Sequence, residues 1–176
     1  MDTDQPKSVG NLIDSLKEYI ETDSFVHHEV IAEQKEIIKK DLSDFPDNIS
    51  EIIQAYKIPH LYKHQSEGIK HILGGKNIAV STPTSSGKTA IYNIPILSTL
   101  LTNPLCSALY IFPLKALEQD QFLELKTLIL RLNSSLTVAI YDGDTSTHER
   151  KKIRSHPPNI LFSTPDMLHL ATGIRL

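Results

Sequence analysis

The run Ile78-Ala79-Val80-Ser81-Thr82-Pro83-Thr84-Ser85-Ser86-Gly87-Lys88-Thr89 decides how this chain is read. A β-branched apolar stretch enters a loop of small residues, Gly-Lys-Thr closes the loop, and an apolar-periodic helix follows. That order is the layout of a phosphate-binding loop. Consecutive backbone N–H groups of Ser85 to Thr89 can curl around phosphate oxygens, and the next helix turns its positive end toward them. Gly87 permits close backbone approach, Lys88 reaches the terminal phosphates, and the Thr89 hydroxyl can ligate Mg²⁺. Thr84 and Ser86 complete the expected cradle. The strict pattern places glycine five residues before Gly87, where this chain has Thr82, so the surrounding order must support the reading.

It does. Strand-like and helix-period segments alternate beyond the loop. Asn77–Ser81 reads as a buried strand, and Lys88–Leu101 as a helix that Pro95 should kink or shorten. Ser107–Phe112, Leu136–Tyr141 and Ile160–Ser163 read as further strands. Lys115–Leu132, Thr147–Arg154 and the stretch from Pro165 read as helices. Strands joined by crossover helices imply an α/β fold with a parallel sheet covered on both faces, and such sheets bind ligands outside the carboxyl ends of their strands. Upstream, Val9–Ile20 and the charged stretch Val30–Leu42 read as accessory helices. A capped helix from Asp47 or Asn48 and another from His64 to Leu73, ending at Gly74-Gly75, come next. This divides the chain into an N-terminal helical region, 1–56, and a nucleotide-binding region, 57–176.

The bulk properties narrow the class. The chain has 176 residues, 40% hydrophobic and 22% charged, which suits one soluble domain with a real core. A formal charge of −3 gives no global attraction for nucleic acid, so such binding must rest on local basic groups. One cysteine, Cys106, excludes an internal disulfide and a thiolate zinc cluster. Beside a strand it reads as a small core residue. His27-His28-Glu29 reads as structural, since adjacent side chains point to different faces. No run reaches transmembrane length and no signal peptide opens the chain, so a cytoplasmic location is expected.

Four further clusters fall at strand ends or lead into the first strand: Leu61-Tyr62-Lys63-His64-Gln65, Phe112 to Leu117 with Asp120-Gln121, Tyr141-Asp142-Gly143-Asp144-Thr145, and Ser163 to His169. In this order the chain resembles the first RecA-like domain of a superfamily-two helicase of the DEAD/DEAH-box type. Within that superfamily, Val26 to Ile31 and the Asp-Gly-Asp-Thr and Pro-Asp-Met-Leu-His strings resemble the MrfA/YprA and fungal Hrq group of ATP-dependent DNA helicases, which are connected with DNA repair. The resemblance implies ATP and Mg²⁺ as cofactors and nucleic acid, DNA in this group, as partner. It implies that Gln65 reads the adenine edge, that Lys88 and Thr89 serve the phosphates and Mg²⁺, and that Lys115, Gly143 and Thr164 meet the nucleic-acid backbone. From the residues alone, Lys115 reads equally as a solvated lysine and Gly143 equally as a turn residue.

Phosphoryl transfer of this type needs an acidic pair, Asp for the Mg²⁺ shell and Glu to orient water. No Asp-Glu dipeptide occurs in the sequence. The expectation is therefore an incomplete RecA-like domain that binds ATP and nucleic acid without catalysing turnover alone. The alternatives are a non-enzymatic nucleotide- or DNA-binding fragment and one subunit of a split helicase, completed by a second chain. A small-molecule kinase is disfavoured, because it leaves the clusters beyond the phosphate loop without a role.

Overall fold

From Lys88 onward, apolar residues at helical spacing and short β-branched runs produce the helices and strands in the order expected. The computed structural model describes residues 38–39, 45–83 and 86–172. β1 (Ile38–Lys39) is followed by α1 (Asn48–Tyr56), β2 (Leu61–Tyr62), α2 (Lys63–Leu73) and α3 (Lys88–Thr102). Then come β3 (Ala108–Ile111), α4 (Lys115–Arg131), β4 (Val138–Tyr141), α5 (Thr147–Ser155), β5 (Ile160–Ser163) and α6 (Pro165–Thr172).

β3, β5 and β4 form a parallel sheet in that spatial order, with Ala108 and Val138 both in register with Ile160. The last strand in sequence is thus the middle one, and its carboxyl end lies between the other two. Phe162 is fully buried there and stacks on Tyr110 with ring centroids 4.8 Å apart and on Phe112 at 5.5 Å, while Phe122 of α4 meets it edge-on at 5.8 Å. Three aromatic rings on one sheet face bury a large area and lock the strand register by geometry. α1 joins the same core: Ile49 and Ile52 are fully buried with Leu97 and Leu125. The buried polar groups between α1, α3 and β3 are paired. Tyr110 donates its hydroxyl to Asn93 Oδ1 at 2.7 Å, and Asn93 Nδ2 donates to the Tyr56 hydroxyl at 2.7 Å. Burial pushes both phenols well above their ordinary range, so both stay neutral.

The structure differs from the sequence reading at four places. The segment 77–81 pairs with no described strand, and Ile78 and Val80 remain 36% and 39% exposed. An apolar β-branched run is a strand only when a neighbour supplies the ladder, and the three sheet strands pair among themselves. Within the stretch expected to be helical up to Leu42, Ile38–Lys39 is a strand, paired antiparallel with Leu61–Tyr62. Here pairing with a distant segment overrides a weak helical period. Pro95 does not shorten α3, which continues to Thr102. It removes one helical donor, while the Pro95 carbonyl accepts the Thr99 hydroxyl at 2.9 Å. Finally, Asp47 starts α1 with no side-chain capping bond, and Asn48 instead donates its amide to the Ser98 carbonyl at 3.0 Å, tying α1 to α3. Cys106 is half-buried against the core, as expected of a small core residue. The expected helix Val9–Ile20, the His27-His28-Glu29 run, Thr84 and Ser85 lie outside the described residues.

Candidate nucleotide and nucleic-acid sites

The loop before α3 is held by side chains from three directions. Gly87 adopts the left-handed conformation at φ +72° that lets the backbone turn into the helix, and a Cβ there would collide with the Gln65 amide nitrogen. Gln65 is buried at the start of α2, where Oε1 accepts the Tyr62 N–H at 2.9 Å and Nε2 donates to the Gly87 carbonyl at 3.0 Å. His64 Nε2 lies 3.0 Å from the Ser86 carbonyl, and its ring stacks on Tyr62. Lys88 Nζ folds back on the loop, donating to the Thr82 carbonyl at 2.7 Å and the Pro83 carbonyl at 2.8 Å. Thr82, the departure from the strict pattern, is engaged through its hydroxyl with Ser86 at 2.6 Å.

These residues fit a phosphate chain. The open N–H groups at the start of α3 and the Lys88 ammonium are the donors such a ligand needs. Gln65 spends one donor and one lone pair on the backbone, leaving one of each for an adenine edge. Thr89 is half-buried in the first turn of α3.

The second cluster lies at the carboxyl ends of the sheet strands. Phe112 N–H donates to the Ser163 carbonyl at 3.0 Å, and Ser163 Oγ donates to the Tyr141 carbonyl at 2.8 Å, tying the three strand ends together. Lys115, first residue of α4, reaches the loop after β4: a Cβ on Gly143 would stand 3.4 Å from Lys115 Nζ. That loop is rigid. Asp142 is buried, and its Oδ1 accepts the N–H groups of Asp144 and Thr145 and the Thr145 hydroxyl at 2.9–3.0 Å. Arg150 of α5 donates to the carbonyls of Asp142 and Thr145, each at 2.9 Å. Thr164 is buried at the end of the middle strand, where Pro165 opens α6. Lys115 and Gly143 are thus brought together, with Thr164 just past the strand that lies between the other two.

Sequence reasoning missed three residues here. Arg150 sits among Lys151, Lys152 and Arg154, and only its place one turn inside a helix capped by Ser146 turns it back onto the loop. Asp144 pairs with Lys115 at 2.7 Å, and the bond holds the lysine above its ordinary range. Glu118, one turn into α4, is fully buried with both carboxylate oxygens unpartnered. Burial pushes its carboxyl up, Asp142 adds to the rise and Lys115 opposes it. No sequence signal separates this glutamate from a solvated helix residue. A cleft of about 750 Å³ runs along β4, with Phe122, Ile140, Ile153 and Pro157 in its walls, away from the phosphate loop. Among the described residues no group of His, Cys, Asp or Glu is arranged to hold a metal ion, and no helix is long and apolar enough to cross a membrane.

A family model described as DEAD/DEAH box helicase matches residues 62–174. The chain is 41% identical over 130 residues to the uncharacterized ATP-dependent helicase YprA of Bacillus subtilis, covering 72% of this chain and 17% of that protein. It is 40% identical over 123 residues to the ATP-dependent helicase hrq1 of Schizosaccharomyces pombe, covering 69% of this chain and 12% of that protein. The chain therefore spans less than a fifth of either relative. Among solved structures, the DUF1998 helicase MrfA bound to DNA superposes with a TM-score of 0.78 at 34% identity, over 93% of this chain and 23% of the other. The observed parallel sheet with its flanking helices is the RecA-like α/β fold of these helicase domains.

Proposed function

This chain belongs to the DEAD/DEAH box helicase family, and we propose that it forms an ATP-binding and single-stranded-DNA-binding part of such a helicase. The observation that carries this reading is the convergence of Gln65, His64 and Lys88 on one loop that opens a helix. When ATP is bound, Lys88 exchanges the Thr82 and Pro83 carbonyls for phosphate oxygens. Ser86, Gly87 and the first amides of α3 cradle the chain of phosphates, with Thr84 and Ser85 assigned to the same cradle. Gln65 reads the base with its remaining donor and acceptor, and the Thr89 hydroxyl holds Mg²⁺. Mg²⁺ supplies charge neutralisation at the phosphates.

Lys115, Gly143 and Thr164 take the nucleic-acid backbone. Contacts of an ammonium, backbone amides and a hydroxyl with phosphate give affinity that falls with salt and does not depend on sequence. DNA is assigned over RNA because of the resemblance to the MrfA/YprA and Hrq group and the MrfA structure bound to DNA. The same resemblance supports a place in DNA repair. Hydrolysis is not assigned to these residues: the sequence contains no Asp-Glu dipeptide, so turnover requires an acidic pair from outside these residues, in the same polypeptide or in a second chain.

The test is fluorescence anisotropy of a labelled oligo-dT, with and without Mg²⁺ and a non-hydrolysable ATP analogue. Saturable binding that weakens with salt and is lost in Lys115→Ala is expected. Binding that survives unchanged in Lys115→Ala would remove the second cluster from the reading.

A further inference from the structure

The lysine expected to meet a nucleic-acid phosphate is already occupied. Lys115 Nζ lies 2.7 Å from Asp144 Oδ2, within the range of a strong charge-assisted hydrogen bond. A carboxylate oxygen, like a phosphate oxygen, offers the ammonium an anionic hydrogen-bond acceptor. We propose that Asp144 acts as an internal stand-in for phosphate, occupying Lys115 until a nucleic-acid backbone displaces it, and so sets the affinity of this site. The inference rests on the nucleic-acid reading given above and adds the residue that regulates it.

Three features make the exchange feasible. The Asp144 side chain is 79% exposed and that of Lys115 50%, so the pair is accessible from solvent. The backbone of the loop does not depend on this contact: it is fixed by Asp142, which accepts the Asp144 and Thr145 amides, and by Arg150, which binds the Asp142 and Thr145 carbonyls. Releasing Lys115 therefore needs a side-chain rotation of Asp144 and no refolding. The backbone of the lysine also stays in place once the pair opens, because it begins α4, and the Gly143 backbone, with no Cβ to block approach, lies beside its ammonium. A site whose competent form is only partly populated binds with an affinity reduced by that fraction.

The experiment measures oligo-dT affinity by anisotropy for the intact chain and for Asp144→Asn, with Asp47→Asn as a control of equal charge change on an exposed residue of another element. Asp144→Asn should bind about threefold more tightly, the size an exposed ion pair supports. Asp47→Asn should not, and the gain should vanish when Asp144→Asn is combined with Lys115→Ala. Asp144→Ser, which keeps a short polar side chain, should reproduce the gain if charge is the cause. Equal or weaker binding by both Asp144 variants, or a gain that persists without Lys115, overturns this inference alone. If neither the intact chain nor any variant binds oligo-dT, the nucleic-acid reading falls and this inference falls with it.

Discussion

The carboxamide of Gln65 joins the start of its own helix to the glycine of the phosphate loop, accepting the Tyr62 N–H at 2.9 Å and donating to the Gly87 carbonyl at 3.0 Å. A residue expected to recognise a base therefore also sets the shape of the loop that holds the phosphates. Loss of either partner should be felt at both ends of the nucleotide.

Gly87→Ala should combine two penalties. A left-handed conformation costs a residue with a Cβ about 1–2 kcal/mol, and the new methyl would displace the Gln65 amide. Nucleotide affinity should fall at least about tenfold, while circular dichroism keeps the helical signal of the intact chain. Unchanged affinity would show that the loop does not need this geometry.

Glu118 should limit stability at neutral pH. Its carboxyl is pushed up from an ordinary value of 4.5 by burial, so the folded protein favours the protonated form. The stability linked to that proton is present below about pH 4.5 and is lost as pH rises through the raised value. Glu118→Gln removes the buried charge, though its amide stays unpaired, and should raise stability at pH 7–8. Denaturant melts at several pH values check this. The gain should shrink toward pH 4.5, and a gain independent of pH would contradict the titration.

Tyr110→Phe should cost about 1–3 kcal/mol by leaving buried Asn93 Oδ1 without its donor. Phe162→Ala should cost about 3–5 kcal/mol, because the ring is fully buried among three other aromatic rings. Thermal denaturation ranks the two, and an order reversed from this would place the core's weight elsewhere than at the central strand.

Leu109 and Ile111 of β3 are 49% and 50% exposed on the sheet face opposite Tyr110. Such neighbouring apolar groups promote self-association. Leu109→Lys with Ile111→Thr should lower light scattering of concentrated samples without reducing the melting temperature by more than a few degrees. Unaltered scattering would locate the association elsewhere, the exposed Ile78 and Val80 being the next surface to alter.

The parallel sheet was legible because β3, β4 and β5 carry short β-branched or aromatic runs bounded by turn residues, and the crossover helices carry their apolar residues at helical spacing. The residues of the two candidate clusters stood out in the sequence because each follows a strand or opens a helix, positions that expose backbone donors. The segment 77–81 misled because burial and pairing are properties of neighbours, which local sequence does not contain. Ile38–Lys39 misled for the complementary reason, since its partner, Leu61–Tyr62, is more than twenty residues away. Asp144 and Glu118 stayed hidden because a carboxylate's partner depends on where a separate loop or helix places it. Lys115 could be assigned to a phosphate from its position, but its pairing with Asp144 could not.

Calorimetric titration of the chain with a non-hydrolysable ATP analogue and Mg²⁺, alongside Lys88→Ala, addresses the phosphate loop most directly. The loop as described predicts saturable one-to-one binding that Lys88→Ala weakens by at least about a hundredfold, since a charge-assisted contact to phosphate is lost. Equal binding by both proteins, or none by a folded intact chain, would contradict the assignment of residues 82–89 as a working nucleotide site.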